Sequence, residues 1–330
     1  MLERLRHPWP DNRAERTLGA VALLIAVGVV AMVVFVGVHA WPIFQHNGLG
    51  WLGPAPKGTS IEEQFQTMQA TSLNPPPSAY TLNAWPLVYG TLLCTIPAVL
   101  IGITVAILSS IFIVELAPAR LRRIVIPVIR LLASVPSVVY GLIGILVLVP
   151  FVGNHLISPA EKVSVQNTVE LTGAGVLVAI VILTVMITPI MVALICEALV
   201  SVPNSWREGA IALGVNPVRA ILAVSLRAAR PAIVAAAVLA TARALGEAIM
   251  ISMVSGSRSF APRFSDGITA LFEPFRTLAS TIVDYHEGLA APALGSALYA
   301  FALLLLFSAL VLSISGYLIK LPLRKYQVRG

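Results

Sequence analysis

The sequence predicts an all-α, polytopic membrane protein with six transmembrane helices and one short helix at its cytoplasmic face. Composition is the first observation behind this: 58% of the 330 residues are hydrophobic and only 11% are charged, against about 25% in ordinary soluble domains. Mean hydropathy is +0.89. The second observation is that apolar stretches of about 20 residues, the length that crosses a bilayer, recur six times. The third is that basic residues gather in every other interval between those stretches.

The six stretches cover residues 18–40, 90–116, 124–152, 173–200, 232–254 and 294–319. The first follows a basic segment (1–17) and ends in "VHA", which has the look of a small-residue cleavage site. Its apolar core exceeds the usual ~7–15 residues of a signal peptide, so an uncleaved anchor is the preferred reading. A long external segment follows, 41–83, in which Pro75-Pro76-Pro77 favours extended backbone. The remaining five stretches form a core over 84–319, with a cytoplasmic loop at 201–231 and an external segment at 255–292. Within the latter, "GITALFEPFRTLASTIV" is weakly amphipathic and reads as a helix lying along the outer surface. Residues 320–330 form a basic tail.

Charge sets the orientation. Arg4, Arg6, Arg13 and Arg16, Arg120, Arg122 and Arg123, Arg207, Arg219, Arg227 and Arg230, and Lys320, Arg324, Lys325 and Arg329 all fall on one side. The alternate intervals hold only Lys57, Lys162, Arg258, Arg263 and Arg276. Arg- and Lys-rich loops stay in the cytoplasm, which places both termini and the 201–231 loop there. The net charge of +7 is therefore a topology signal, and nucleic acid is not an expected partner. Cys94 and Cys196 lie within apolar runs without metal-ligand spacing and read as small buried hydrophobes.

The stretch "SWREGAIALGVNP" interrupts the apolar pattern. Ser205 and Glu208 stand in the S-x-x-E spacing of a capping box. Gly214 tolerates the positive φ that ends a helix, and Asn216-Pro217 offers an N-cap followed by proline at the first helical position. The expectation is a helix of about two turns, a turn and a second helix. Such a short helix is marginal alone. Either it is simply a well-capped loop, or something else holds it.

"EGAIALGVNPVRAILAVSL" resembles the EAA loop of ABC importer permeases. Glu208, Ala210 and Gly214 match that pattern. Gly209 replaces its second alanine, and Arg227 stands where proline is expected. Two further stretches are similar to phosphate importer permeases: "PSVVYG" in the third span and "RALGE" in the fifth. Together with "YGTLLC" at Tyr89 and "ELAPARLRR" after the second span, the similarity runs over most of 85–316. The long first external segment and "TLASTI" point to the C-type subunit, PstC-type. Arg130 and Ser134 depart from the family, which more often has Glu and Gly there. The resemblance implies a type I ABC importer permease fold in the bacterial plasma membrane. In it Ser205, Glu208, Gly209, Ala210 and Gly214 form a coupling helix that docks on a separate ATPase. It also implies an A-type permease partner, an ATPase dimer and an external phosphate-binding protein, all around the lipid bilayer.

Charges inside the membrane are costly and usually face a polar interior. Arg243 and Glu247, four residues apart, share one face of the expected fifth helix. Two readings stand. One is a structural ion pair; the other is an oxyanion contact by Arg243, whose planar fork suits two phosphate oxygens. The resemblance includes both positions and favours contact. Arg130 sits near the cytoplasmic end of the third span, either snorkelling to headgroups or meeting anions at the exit. Pro136 is expected to bend that span and free a carbonyl, with Ser137 and Tyr140 offering hydroxyls to a polar path. No nucleotide-binding G-x-x-x-x-G-K-[ST] loop, nucleophile elbow or zinc motif occurs, so no enzyme activity or cofactor is expected of this chain. The external intervals carry eight acidic against five basic residues. Such a surface repels phosphate, which is consistent with delivery by a binding protein. Permeases for sulfate or molybdate, and an ATP-independent secondary transporter, are the competing expectations.

Overall fold

A computed structural model describes residues 12–53, 60–70, 75–165, 170–259 and 261–323. It is helical, with no strand among the described residues. The helices are α1 (Asn12–Asn47), α2 (Ile61–Ala70), α3 (Trp85–Ile111), α4 (Ala119–Ala133) and α5 (Ser137–Leu156). They continue as α6 (Pro159–Val165), α7 (Val176–Val200), α8 (Asn204–Ala212) and α9 (Pro217–Leu245). The last are α10 (Ile249–Val254), α11 (Leu278–Asp284) and α12 (Pro292–Leu323). Among the described residues, six helices are long and apolar enough to cross a membrane: α1, α3, α5, α7, α9 and α12. Most of the basic tail and of the N-terminal segment lies outside the described residues.

α7 is the axis of the bundle. Most of its side chains are buried between Val176 and Leu199, with Val181 and Val185 left exposed, because α3, α4 and α9 all pack against it. Close approach to α3 depends on Gly102, where a Cβ would stand 2.7 Å from Met191 Cε. A second apolar cluster sits at the far end of the bundle. It joins the last turns of α1 (Ala40, Ile43) to Trp51, to α2 (Ile61, Phe65, Met68) and to the first turns of α12 (Leu294, Leu298, Phe301). Residues 38–40 are thus interior to one continuous helix in which Ala40 and Ile43 are buried. Pro76 is extended (φ −65°, ψ 158°), as its ring requires, and Pro77 then opens a short 3₁₀ turn.

Three expectations are corrected. The third span does not begin at 124: residues 119–133 form the separate helix α4, which buries no residue. α4 stops at Ser134, and Pro136 (φ −59°, ψ 140°) caps α5 rather than kinking one continuous helix. Pro136 has no amide to give Leu132, whose carbonyl instead accepts from the Val135 amide at 3.3 Å and from the Tyr140 hydroxyl at 3.1 Å. The fifth span does not run to 254 either, because α9 ends at Leu245 with Gly246 as its C-cap and α10 starts afresh. Finally, "GITALFEPFRTLASTIV" does not lie on the surface. Residues 272–281 are buried without interruption; the segment folds back into the bundle until Thr277 and Ser280 cap α11 reciprocally.

Candidate functional site

The helix expected after residue 204 is present, but its start differs from the expectation. Pro203 (φ −60°, ψ 131°) is the N-cap of α8 and no side chain caps it. Ser205 therefore lies inside the first turn, two positions out of register for a capping box with Glu208. The end is as expected. Gly214 has φ +86°. Its amide reaches the Ile211 carbonyl at 2.9 Å, and that of Val215 reaches Ala210 at 3.2 Å. This is the paired closure of a Schellman motif, and it relies on glycine's access to left-handed backbone. Asn216 then accepts from the Val218 amide at 2.9 Å, with Pro217 opening α9.

α8 buries no residue. Ser205, Glu208 and Gly209 face outward, and Trp206, Ile211 and Leu213 are exposed apolar residues, Leu213 by 87%. An exposed apolar patch rimmed by polar residues marks an interaction surface. The sequence reading passed over Trp206 and Leu213; the signal was their placement on a helix too short to have a buried face of its own. What holds α8 in place is Arg207. Its guanidinium pairs with the carboxylate of Glu115, just past the end of α3, and also donates to Asn204 Oδ1 at 3.1 Å.

The intramembrane candidates are partly reassigned. Since α9 ends before Glu247, Arg243 and Glu247 do not share a helical face, and they form no ion pair. Glu247 is buried, and its carboxylate accepts from the Met250 amide at 3.3 Å. The Arg243 side chain is exposed in the single chain and stands within electrostatic range of the Tyr140 hydroxyl. Ser137 is half-buried in the first turn of α5. So Arg243 and Tyr140 lie within electrostatic range of each other with no hydrogen bond between them. Arg130 does not join them: it bonds Glu197 of α7 at 2.9 Å on the exposed flank of α4.

The most heavily bonded charge among the described residues was counted from sequence only as one of five external basic residues. Arg276, 6% exposed, donates to Ser259 Oγ at 2.9 Å, to the Tyr285 hydroxyl at 3.3 Å and to the Ser257 carbonyl. Its Nη1 lies 3.6 Å from Glu62 of α2. Its Nε is 3.1 Å from Asp284 Oδ2, although neither atom is aligned for a hydrogen bond; the contact is a charge attraction. Ser252 of α10 also donates to Asp284, and Ser257 takes a left-handed φ of +47° beside Gly256. The Tyr285 ring lies 5.1 Å from the guanidinium carbon. Burial pushes the Tyr285 phenol above its usual range, and the hydrogen bond from Arg276 works against that.

Residues 98–321 match the family model described as "Binding-protein-dependent transport system inner membrane component". The chain belongs to that family. Among its relatives, a probable ABC transporter permease protein, YqgH of Bacillus subtilis, is 34% identical over 68% of this chain and 66% of its own length. The phosphate transport system permease protein PstC 1 of Mycobacterium bovis is 36% identical over 66% of this chain and 65% of its own length. For these two relatives the shared part is just under two thirds of their length. PstC of Mesorhizobium japonicum is 30% identical over 77% and 78%. A solved structure described as an inward-facing conformation of the MetNI methionine ABC transporter superposes with a TM-score of 0.52 at 20% identity. It covers 72% of this chain and 96% of the other. That likeness shows the fold of an ABC importer permease. α8, α9 and the Arg243 region lie within the matched residues; α1 and α2 lie outside them.

Proposed function

We propose that the chain is the permease subunit of an ATP-driven inorganic phosphate importer, forming half of a translocation pathway and coupling to an ATPase on another chain. The observation that carries this is α8: a helix closed by a Schellman motif, burying nothing of its own and presenting Glu208 beside exposed Trp206, Ile211 and Leu213. A helix of nine residues does not hold itself in water. A cleft on the ATPase would cover the apolar side chains and meet Glu208. The named functions of the PstC relatives supply the cargo.

In this reading the face bearing Arg120, Arg122, Arg207 and Arg219 is cytoplasmic, as the positive-inside rule requires. Six crossings then return the C-terminus to the cytoplasm. Arg243 is the anion contact. It has no carboxylate partner among the described residues, so its donors are available to two phosphate oxygens. Tyr140 and Ser137 add hydroxyls beside it, while Glu247 fixes the start of α10. The second half of the pathway comes from an A-type permease chain, and a binding protein delivers phosphate to the opposite face. Arg130, paired with Glu197 on the flank of α4, has no part in the path.

The test is purification in mild detergent followed by uptake assays. The wild-type chain retains a nucleotide-binding subunit, and Leu213→Glu or Glu208→Lys loses it. Vesicles carrying the assembled complex take up labelled phosphate with ATP, and Arg243→Ala abolishes uptake at normal assembly. Uptake of sulfate or molybdate in preference to phosphate would overturn the cargo. Uptake by the purified chain alone would overturn the class.

A further inference from the structure

The coupling helix is joined covalently to α7 through residues 201–203 and to α9 through the turn at Gly214–Asn216. Neither joint reaches α3, the helix that packs most extensively on α7. The link to α3 is Glu115. It lies in a wide turn, Phe112–Leu116, that closes α3, and its side chain is 2% exposed against 29% for its partner Arg207. The pair borders a polar cavity of about 390 Å3, whose other walls include Arg122, Asn204 and Ser225. Arg122 does not compete for the carboxylate. Its guanidinium is turned to the Val114 carbonyl at 3.2 Å.

We infer that the Glu115–Arg207 ion pair transmits displacement of α8 to α3, so that both are positioning residues for coupling. This rests on the proposed role of α8 as the ATPase-docking helix. A carboxylate this shielded is strongly disfavoured without its cation, so when α8 moves the pair travels together rather than parting. Arg207 is also tied to Asn204 at the start of α8, so the guanidinium moves with the helix frame and not as a free side chain. Arg207 sits one position before Glu208: one residue of α8 faces the bundle while the next faces outward. Without the pair, motion of α8 reaches α3 only indirectly, through its packing on α7 and α9.

The experiment uses the complete transporter, co-expressed with its partner chains and reconstituted in vesicles. It measures labelled phosphate uptake, ATP hydrolysis and retention of the ATPase subunit. Glu115→Gln and Arg207→Met are each expected to lower uptake tenfold or more with the ATPase still bound. ATP consumed per phosphate moved rises by a comparable factor. Arg207→Lys, which keeps the charge, retains most of the uptake. The double variant E115Q/R207M is no worse than the weaker single, because one link is lost only once. If Arg207→Met fails to assemble, the lysine and double variants carry the same test, since neither leaves a lone buried charge. An unchanged ATP-to-phosphate ratio in assembled variants, or losses that multiply in the double, overturns the inference. If the wild-type chain itself retains no ATPase, it is the docking role of α8 that has failed.

Discussion

Replacing Arg276 by methionine keeps an unbranched apolar stem and removes the cation at the centre of this network. Asp284, 16% exposed, keeps the bond from Ser252 to one oxygen and loses the Arg276 cation at the other. Glu62, 37% exposed, loses a partner at 3.6 Å but keeps the Tyr285 hydroxyl at 3.1 Å. Removing one partner of a buried pair costs about 3–5 kcal/mol, whereas an exposed pair contributes ~0–1 kcal/mol. The Glu62 contact therefore adds little, and the bond from Ser252 places Asp284 at the low end. The expected loss is about 3 kcal/mol. At roughly 2 °C per kcal/mol for a chain of this size, the melting temperature in detergent falls by about 6 °C. Trp51, buried in the neighbouring cluster, supplies a fluorescence signal for that transition. Adding Asp284→Asn removes the stranded charge and recovers more than half of the loss. A methionine variant melting within 1 °C of the wild type refutes the reasoning, as does a double variant less stable than the single.

Gly90→Ala brings a Cβ to 2.4 Å from the Arg276 carbonyl oxygen; overpacking of this kind costs about 1–3 kcal/mol, read as a lower melting temperature with the helix content kept. Gly209→Ala has the opposite sign. Its Cβ meets nothing within 4 Å, so alanine stabilises α8 by about 0.5–1 kcal/mol and slows hydrogen exchange of the amides from Leu213 to Val215. Tyr285 gives a pH dependence. Its raised phenol pKa means that the folded chain holds that proton more tightly than the unfolded chain. The associated stability is complete below the ordinary value of about 10 and is lost as pH rises through the raised value. Tyr285→Phe should flatten the alkaline limb of a melting-temperature profile while lowering its plateau.

What could be read in the sequence was local. Span number follows from apolar length, and the end of α8 follows from Gly214 and Asn216-Pro217, whose backbone preferences act within two or three residues. The misreadings came where two local signals competed. At the start of α8, Pro203 takes the cap position and pulls the S-x-x-E pattern out of register. In the fifth span, the four-residue spacing of Arg243 and Glu247 presumed an unbroken helix, and Gly246 ends it. The break before α5 was visible in Pro136; that it separates two helices was not, because α4 is apolar enough to look like membrane. Arg276, Glu62 and Asp284 had no readable spacing, since Glu62 and Arg276 come from opposite ends of the chain and meet only through packing. The Glu115–Arg207 pair was hidden in the same way.

The outer cluster of α1, α2 and the first turns of α12 shares no buried residue with the central bundle, and the family match starts only at residue 98. The crown is therefore an accessory to a five-span body, seated chiefly on one rim helix. Substitutions on the exposed face of α2 can reshape that rim without touching the buried cluster around α7.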